Sequence, residues 1–350
     1  MPAQRAVAFA LAAAILFGAS TPAAKLLAGD LSPFLLAGLL YAGSGVGLSL
    51  WLLLWQRRGH SSGAAPIERA GLPWLAGAVL AGGIVGPVLL MLGLRAEPAS
   101  TASLLLNLEG VFTALIAWFV FRENFDRRIA LGMFLIVAAG ALASLQAGAA
   151  PGLTAGALFI AAACLAWAID NNLTRKVSAG DPATIAAIKG LVAGPVNVGI
   201  ALALGAGLPS AGQAAAAGLV GFAGYGLSLA LFVIALRELG AARTGAYFSV
   251  APFAGALLAV TVLGETPAAG FWLALPLMAA GVWLHVSERH VHEHAHEPLE
   301  HTHSHAHDEH HHHAHDFDWD GKEPHVHAHR HERIRHSHPH YPDIHHRHNH

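Results

Sequence analysis

Apolar residues fill the first 286 positions in blocks of about twenty, separated by short connections such as "GDLSP", "RENFDRR" and "GETP". A block of about twenty residues is long enough to cross the roughly 30 Å hydrocarbon core of a bilayer as an α-helix. The blocks therefore predict ten transmembrane helices, which we number spans 1 to 10. Their predicted limits are residues 6–28, 33–55, 72–94, 99–121, 129–147, 153–174, 183–206, 213–236, 240–263 and 267–286.

The placement of basic residues predicts the orientation of these spans. Cytoplasmic loops of membrane proteins carry an excess of Lys and Arg. With the N-terminus in the cytoplasm, only Lys25 and Arg95 fall outside. The basic residues that then fall inside are Arg5, Arg57, Arg58, Arg69, Arg122, Arg127, Arg128, Arg175, Lys176, Arg237 and Arg243. We therefore expect a multi-pass protein of the bacterial inner membrane, with both termini in the cytoplasm.

One alternative concerns the start of the chain. The stretch "MPAQRAVAFALAAAILFGASTPAAK" has a basic residue, an apolar run and small residues, which also fit a cleaved signal peptide. We favour a first transmembrane helix because the apolar run is long and because cleavage would break the symmetry of the internal repeat described below.

Composition excludes several classes of protein. The chain is 54% hydrophobic and 12% charged, against roughly a quarter charged in soluble domains. An all-helical soluble core would need charged helix faces that these blocks lack. The single cysteine, Cys164, excludes an internal disulfide and a thiolate metal cluster. We find neither a catalytic constellation nor a nucleotide-binding loop, so we expect neither an enzyme nor an ATP-driven pump, and no nucleic-acid partner.

The body of the chain contains an internal repeat. The segment "GLRAEPASTASLLLNLEGVFTALIAWFVFRE" (93–123) aligns without gaps to "ALRELGAARTGAYFSVAPFAGALLAVTVLGE" (235–265). Arg95 matches Arg237 at one end, and Glu123 matches Glu265 at the other. Each half holds five spans, an odd number, so the halves must lie in opposite orientations in the bilayer. Inverted repeats of this kind build transporters that alternate access around a central site.

Two further motifs accompany the repeat, namely the "AAGALAS" and "AAGVWLH" ends of spans 5 and 10. With the two segments that close on Glu123 and Glu265, they resemble the drug/metabolite transporter superfamily, specifically its EamA-type family. The resemblance covers about residues 6–286. It implies ten helices around a central cavity and, usually, export of small metabolites or drugs by secondary transport. It does not imply a particular substrate.

Two positions depart from the pattern of this family. Gly110 stands where the family often has proline, and Arg122 replaces the usual glycine before Glu123. The predicted fold class is an all-α polytopic membrane protein with ten transmembrane helices. It consists of two inverted five-helix repeats, residues 1–147 and 148–286, and a disordered His-rich tail, residues 287–350.

Glu109 is the first candidate for a role in transport. Ionisable groups inside transmembrane helices are costly and are functional candidates by default. Glu109 lies about ten residues into span 4, near the middle of the membrane and beside Asn107. It could carry a coupling proton or coordinate a cation. The structural alternative is a protonated carboxyl group that is hydrogen-bonded to a neighbouring helix.

A second group of candidates lies in "LAWAIDNNLTRK" (165–176). Asp170 is about a turn from the inner end of span 6, and Lys189 reaches a similar depth on the antiparallel span 7. We therefore expect an Asp170–Lys189 pair. Asn171 and Asn172 point in other directions of the same helix turn. Asp170 either lines the substrate path, forms a structural pair, or lies at the membrane interface.

Residues in spans 1 and 9 complete the predicted pathway. At a displacement of 150 residues, "STPAAK" (20–25) corresponds to "DNNLTR" (170–175), which places Thr21 opposite Asn171. Pro22 is predicted to break the first helix and to free backbone carbonyls toward a cavity. Tyr247 is a candidate lining residue, although aromatic residues in membrane proteins more often serve packing.

The tail has a different chemistry. All of the 26 histidines except His60 and His285 follow residue 286. Such a segment cannot bury a core and is expected to be disordered. Alternating His-x-His places imidazoles on one side of an extended chain, and neutral imidazole binds Zn, Cu, Ni and Co. The candidate ligands are His301, His303, His305, His307, His310, His311, His312, His313 and His315.

Three functions remain open from the sequence. The first is an exporter of a small metabolite or drug-like molecule, whose tail binds divalent transition metals. The second is an exporter of Ni, Co or Zn ions, with the tail collecting the ion. The third is a metal or pH sensor without transport. We favour the first because the spans lack clustered metal ligands. It requires no cofactor, and its partners are the lipid bilayer, a small-molecule substrate, divalent metal ions and, as an open question, a second copy of the chain.

Overall fold

The computed structural model describes the ten-span body and part of the tail. The described residues are 3–57, 69–121, 127–144, 154–174, 177, 181–239 and 241–286, with tail segments 290–295, 299–305, 325–331 and 335–340.

The body is entirely helical. Its α-helices are α1 (Ala3–Ala28), α2 (Pro33–Arg57), α3 (Leu72–Ala78), α4 (Gly86–Ala96), α5 (Ala99–Leu105), α6 (Leu108–Phe121), α7 (Arg127–Ala143), α8 (Ala155–Thr174), α9 (Pro182–Ala203), α10 (Ala211–Gly221), α11 (Ser228–Leu239), α12 (Ala241–Phe248), α13 (Ala251–Thr261) and α14 (Ala269–Val286). A 3₁₀ turn, Arg69–Gly71, precedes α3. Eight segments in the described part of the chain are long and apolar enough to cross a membrane, and α7 and α14 occupy the predicted positions of spans 5 and 10.

Four spans are interrupted near their middle, at matching positions of the two halves. Span 3 passes through a π-helix, Val79–Val85, between α3 and α4, and span 8 through a π-helix, Phe222–Leu227, between α10 and α11. Span 4 breaks between α5 and α6, and span 9 breaks between α12 and α13. The predicted span 4, residues 99–121, is present as two helices with a two-residue break at residues 106–107. Interrupted helices of this kind are typical of transporters, because the free backbone groups at the break line a cavity.

The predicted break at Pro22 is also wrong, because α1 is continuous from Ala3 to Ala28 with Pro22 inside it. Proline removes one backbone hydrogen bond from a helix, and membrane helices tolerate this loss where neighbouring groups satisfy the freed carbonyls. In the same turn, the Ser20 hydroxyl donates a hydrogen bond of 2.6 Å to the Phe17 carbonyl.

The helices pair across the two halves as an inverted repeat requires. Span 2 packs on span 7 and span 5 on span 10, while span 3 packs on span 6 as span 8 packs on span 1. Small residues permit these close approaches. A methyl group added at Gly190 would lie 2.6 Å from the backbone nitrogen of Gly45, and one added at Gly281 would lie 2.8 Å from the Gly132 carbonyl.

Apolar side chains occupy both the interior and the outer surface of the body, as expected for a protein in a bilayer. Leucines and many alanines form the buried core between the helices. Large apolar side chains cover the outside, for example Phe119 and Trp283, each 68% exposed. Such an apolar surface is stable in lipid and not in water. The chain is an all-α multi-pass membrane protein.

Two faces of the bundle follow from the alternation of the spans. The far face carries the connections after α1, α4, α7, α9 and α13. The near face carries the N-terminus and the connections after α2, α6, α8 and α11.

The described parts of the tail form paired strands. Strand β1 (His290–Ala295) pairs with β4 (Arg335–His340), and β2 (Leu299–His305) pairs with β3 (His325–His331), both antiparallel. The two strand pairs follow the same register. Ala295 pairs with Arg335 and Leu299 pairs with His331, so a step of four residues along one side is matched by four along the other. In these segments the backbone is regular where the sequence predicted disorder. A period of two in the sequence matches the geometry of an extended strand.

Candidate transport site

An ion pair lies at the centre of the candidate site. The Lys189 ammonium on α9 is 2.6 Å from Oδ1 and 2.5 Å from Oδ2 of Asp170 on α8. The side chains are 16% and 7% exposed. The Thr174 hydroxyl donates a further hydrogen bond of 2.9 Å to Asp170 Oδ1. Opposite charges and hydrogen bonds offset the cost of placing both groups in a low-dielectric interior, and the predicted pair is present.

Gly82, in the first π-helix, makes room for this pair. A methyl group added at Gly82 would overlap the Asp170 carboxylate. The Gly82 carbonyl accepts hydrogen bonds from the Tyr41 hydroxyl at 2.6 Å and from the Trp167 indole at 2.9 Å. The next carbonyl, that of Gly83, accepts one from Asn197 Nδ2 at 3.0 Å. The π-helix thus supplies backbone acceptors that fix the side chains around the ion pair.

Glu109 forms the second polar part of the site. It lies in the first turn of α6, immediately after the break in span 4. Its Oε1 accepts a hydrogen bond of 2.8 Å from Asn171 Nδ2 on α8. The partial positive charge of a helix N-terminus favours a carboxylate at this position. Because Asn171 follows Asp170 directly, the Glu109 contact and the ion pair share one turn of α8.

The exposed side chain of Asn171 lies on a different side of α8 from the exposed apolar residues of that helix. Asn171 is exposed, as are Leu158, Leu165 and Ile169 of the same helix. Those three apolar residues form the lipid-facing stripe of α8. Asn171 lies about 120° to 160° away from them around the helix axis, at about 100° per residue. Its accessible surface therefore lies on the side of α8 that faces α6, where its partner Glu109 is partly accessible as well.

Aromatic rings form a separate group beside the polar residues. Phe17 lies 6.0 Å from Tyr225 and 5.4 Å from Phe248 between ring centroids, and Tyr41 lies 5.8 Å from Tyr225. Phe232 contacts Phe248 at 5.0 Å. Tyr41 joins the two groups, because its ring packs on Tyr225 while its hydroxyl bonds Gly82.

The inverted repeat relates the two groups. A methyl group added at Gly224, in the second π-helix, would overlap Ser20, as one added at Gly82 would overlap Asp170. Ser20 and Asp170 are separated by the displacement of 150 residues that relates spans 1 and 6. The same local geometry therefore holds a neutral hydroxyl in one half and a charged pair in the other.

The other predicted pathway residues lie apart from the ion pair and from Glu109. The Asn107 amide donates to the Leu104 carbonyl at 3.1 Å, a bond at the break in span 4 and away from Glu109. Thr21 is buried in α1, which packs on the second π-helix. Tyr247 is half-buried in α12, and its neighbour Phe248 is the residue that joins the aromatic group. The sequence therefore predicted the ion pair but not the role of Gly82. The signal that could have revealed it is the match of Gly82 with Gly224 in the repeat.

Other predicted residues cannot be placed. His307, His310, His311, His312, His313, His315, Arg122 and Glu123 lie outside the described residues. In the described part of the tail, His301, His303 and His305 stand in register opposite His329, His327 and His325. Among the described residues, no three His, Cys, Asp or Glu side chains are grouped as a metal site.

Comparison with known proteins agrees with this architecture. The EamA-like transporter family matches the chain twice, over residues 4–145 and 154–287. The chain belongs to the EamA-like transporter family. The expected resemblance is confirmed, and the chain is a membrane transporter rather than an enzyme.

Two individual proteins resemble this EamA-like chain. One is described as an uncharacterized transporter of Methanothermobacter thermautotrophicus, 30% identical over 73% of this chain and 78% of its own length. The other is a protein of known crystal structure that superposes with a TM-score of 0.59 at 18% identity. That similarity covers 80% of this chain and 96% of the other, and it shows the fold alone.

Proposed function

We propose that this EamA-like protein is a secondary-active exporter of a small metabolite or drug-like molecule and works by alternating access. The supporting observation is the accessible Asn171–Glu109 contact, which joins α8 to α6 beside the Asp170–Lys189 pair. Ionisable and polar groups within transmembrane helices typically face the bundle interior or a water-filled cavity and mark substrate or ion pathways. The interrupted spans around it are the elements that move in transporters of this architecture.

We assign the following roles to the site. Asp170, Lys189 and Asn171 line the substrate path and offer a carboxylate, an ammonium and an amide to an organic molecule with groups of both charges. Glu109 carries the coupling proton or cation, because it is the accessible carboxylate at the break. Asn107, Thr21 and Tyr247 lie apart from this group in the structure, and their role in the pathway stays a prediction. The repeats are residues 1–147 and 148–286.

A metal-binding tail is the second part of the proposal. Alternate residues of a strand share one face, and His301 and His303 stand in register opposite His329 and His327. Neutral imidazoles bind Zn, Ni, Co and Cu. The basic residues support a cytoplasmic location for both termini in the inner membrane. In the competing function, the tail would instead deliver these ions to the transport path.

Transport by proteoliposomes tests the proposal. Full-length protein is reconstituted with an outward or inward pH gradient, and uptake of amino acids, Ni²⁺, Co²⁺ and Zn²⁺ is measured. We expect gradient-dependent movement of an organic solute, and Glu109→Gln should abolish the response to the gradient while leaving solute binding.

The matched control is Glu97→Gln, a carboxylate on the far face and outside the site. Normal coupling in Glu109→Gln would exclude the proposed role of Glu109. Transport of metal ions without transport of any organic solute would favour the metal exporter.

A further inference from the structure

Polar side chains link the ends of the helices at the far face of the bundle. Lys25, at the end of α1, donates hydrogen bonds to the carbonyls of Leu94 and, at 2.8 Å, Glu97. Arg95 donates to the carbonyls of Ala28 at 2.9 Å and Leu31 at 2.7 Å. These bonds bind the end of α1 and the α1–α2 connection to the end of span 3.

Glu265 makes the contact that links the two repeats on this face. Its Oε1 accepts a hydrogen bond of 2.7 Å from the Ala99 backbone N–H, and its Oε2 accepts one of 2.9 Å from the Ser100 N–H. Glu265 follows α13 of the second repeat, whereas Ala99 and Ser100 begin α5 of the first. The carboxylate thus satisfies two N–H groups of a helix that lies 165 positions away in the chain.

Local backbone geometry supplies this carboxylate. Gly264 has a φ of 67°, in the left-handed region that favours glycine. The chain therefore turns back after α13, and the Glu265 backbone N–H bonds the Ala259 carbonyl at 3.3 Å. On the other side, Pro98 at the start of α5 provides no side-chain cap. Glu265 fills the place that Ser, Thr or Asp usually takes at a helix start.

We propose that Glu265 is a positioning residue of the transport cycle, which stabilises the state closed at the far face by capping α5 and releases α5 when that face opens. The break after Leu105 separates α5 from α6, so α5 can move as a unit. All seven residues of α5 are buried in this structure. The proposal rests on alternating access, but on no particular substrate.

The far-face opening can be measured by thiol accessibility. Ser103 lies on α5, is 1% exposed, and its hydroxyl has no hydrogen-bond partner. Ser103→Cys is therefore a mild change that reports opening of the far face. It is made in a Cys164→Ala background, since Cys164 is the single native cysteine. The rate of labelling by a charged maleimide is measured on the purified full-length protein in detergent.

We expect Glu265→Gln to raise the labelling rate at position 103 about three- to tenfold, the effect of weakening one helix cap. Ala99→Pro tests the same contact from the other side. It deletes one of the two N–H donors, and proline is favoured at the first helical position. It should raise the rate in the same direction, and it keeps the proposal testable if Glu265→Gln does not fold.

Glu97→Gln is the matched control, because it removes a far-face carboxylate that accepts a hydrogen bond from Thr154 rather than capping α5. Its labelling rate should stay within about twofold of the parent, since the α5 cap is intact. The proposal is overturned if Glu265→Gln and Ala99→Pro leave the rate unchanged, or if Glu97→Gln raises it equally. Since labelling needs no substrate, failure of the proposed transport activity would be a separate result.

Discussion

At the scale of single residues, the pairing of one negative with one positive side chain stabilises the site. Asp170 and Lys189 are held in a largely buried position, where removing one partner leaves an uncompensated charge. Such a change typically costs about 3–5 kcal/mol, whereas replacing both partners together often costs little. Stability and transport therefore respond differently to single and double substitutions at this pair.

We expect Lys189→Met to lower the free energy of unfolding by about 3 kcal/mol, because Asp170 loses its counter-charge. The double variant Asp170→Asn/Lys189→Met should recover most of this stability and remain inactive in transport. Thermal unfolding in detergent and proteoliposome uptake measure the two effects. An active double variant would show that the pair is structural only.

The predicted contact of Asp170 with Lys189 illustrates what depth along a helix can reveal. Both residues lie a similar distance from the same membrane face, and their spans are antiparallel neighbours. A hydrogen bond from Glu109 to a neighbouring helix was one of the predicted alternatives, but its partner Asn171 was not predicted, because that depends on how α6 and α8 are rotated about their axes. Rotation is set by packing with other helices, which a single sequence does not display.

At the scale of elements, the π-helices and the broken spans carry the functional geometry. Each π-helix sits at a glycine that a side chain of a facing helix approaches closely: Asp170 at Gly82 and Ser20 at Gly224. π-helices recur at functional sites because they free backbone carbonyls. Here the Gly82 carbonyl binds two side chains of the site, Tyr41 and Trp167.

Gly82→Ala should displace the Asp170 carboxylate and lower the stability of the protein by about 1–3 kcal/mol, the usual cost of overpacking. Transport should fall with it. Gly199→Ala in α9 is the matched control, since a methyl group there meets nothing within 4 Å. That control should be neutral or stabilising by up to about 1 kcal/mol, because alanine is the better helix former. Equal unfolding temperatures for the two variants would contradict this account of Gly82.

At the scale of the whole molecule, the inverted repeat and the tail are separable. The described tail strands pair with each other, β1 with β4 and β2 with β3. The body buries its own core of leucine and alanine. We therefore expect the body to fold and transport without the tail.

A variant that ends at Val286 should retain transport of the organic solute and lose binding of divalent metals. Metal content per chain is measured after dialysis against Ni²⁺ or Zn²⁺, for the full-length and the shortened protein. Uptake is measured on the same preparations. Loss of all transport in the shortened protein, with normal folding, would contradict an accessory role of the tail.

The sequence by itself determined the class of molecule: ten apolar spans, an inverted repeat of five, and a His-rich tail. These features follow from the length and composition of local segments, since about twenty apolar residues in a row have one stable environment. Only the tertiary structure decided where spans 3, 4, 8 and 9 are interrupted, that α1 continues through Pro22, and that Glu265 caps α5. Each of these depends on a backbone or side-chain partner from a distant part of the chain, and such partners are set by packing rather than by neighbours in the sequence.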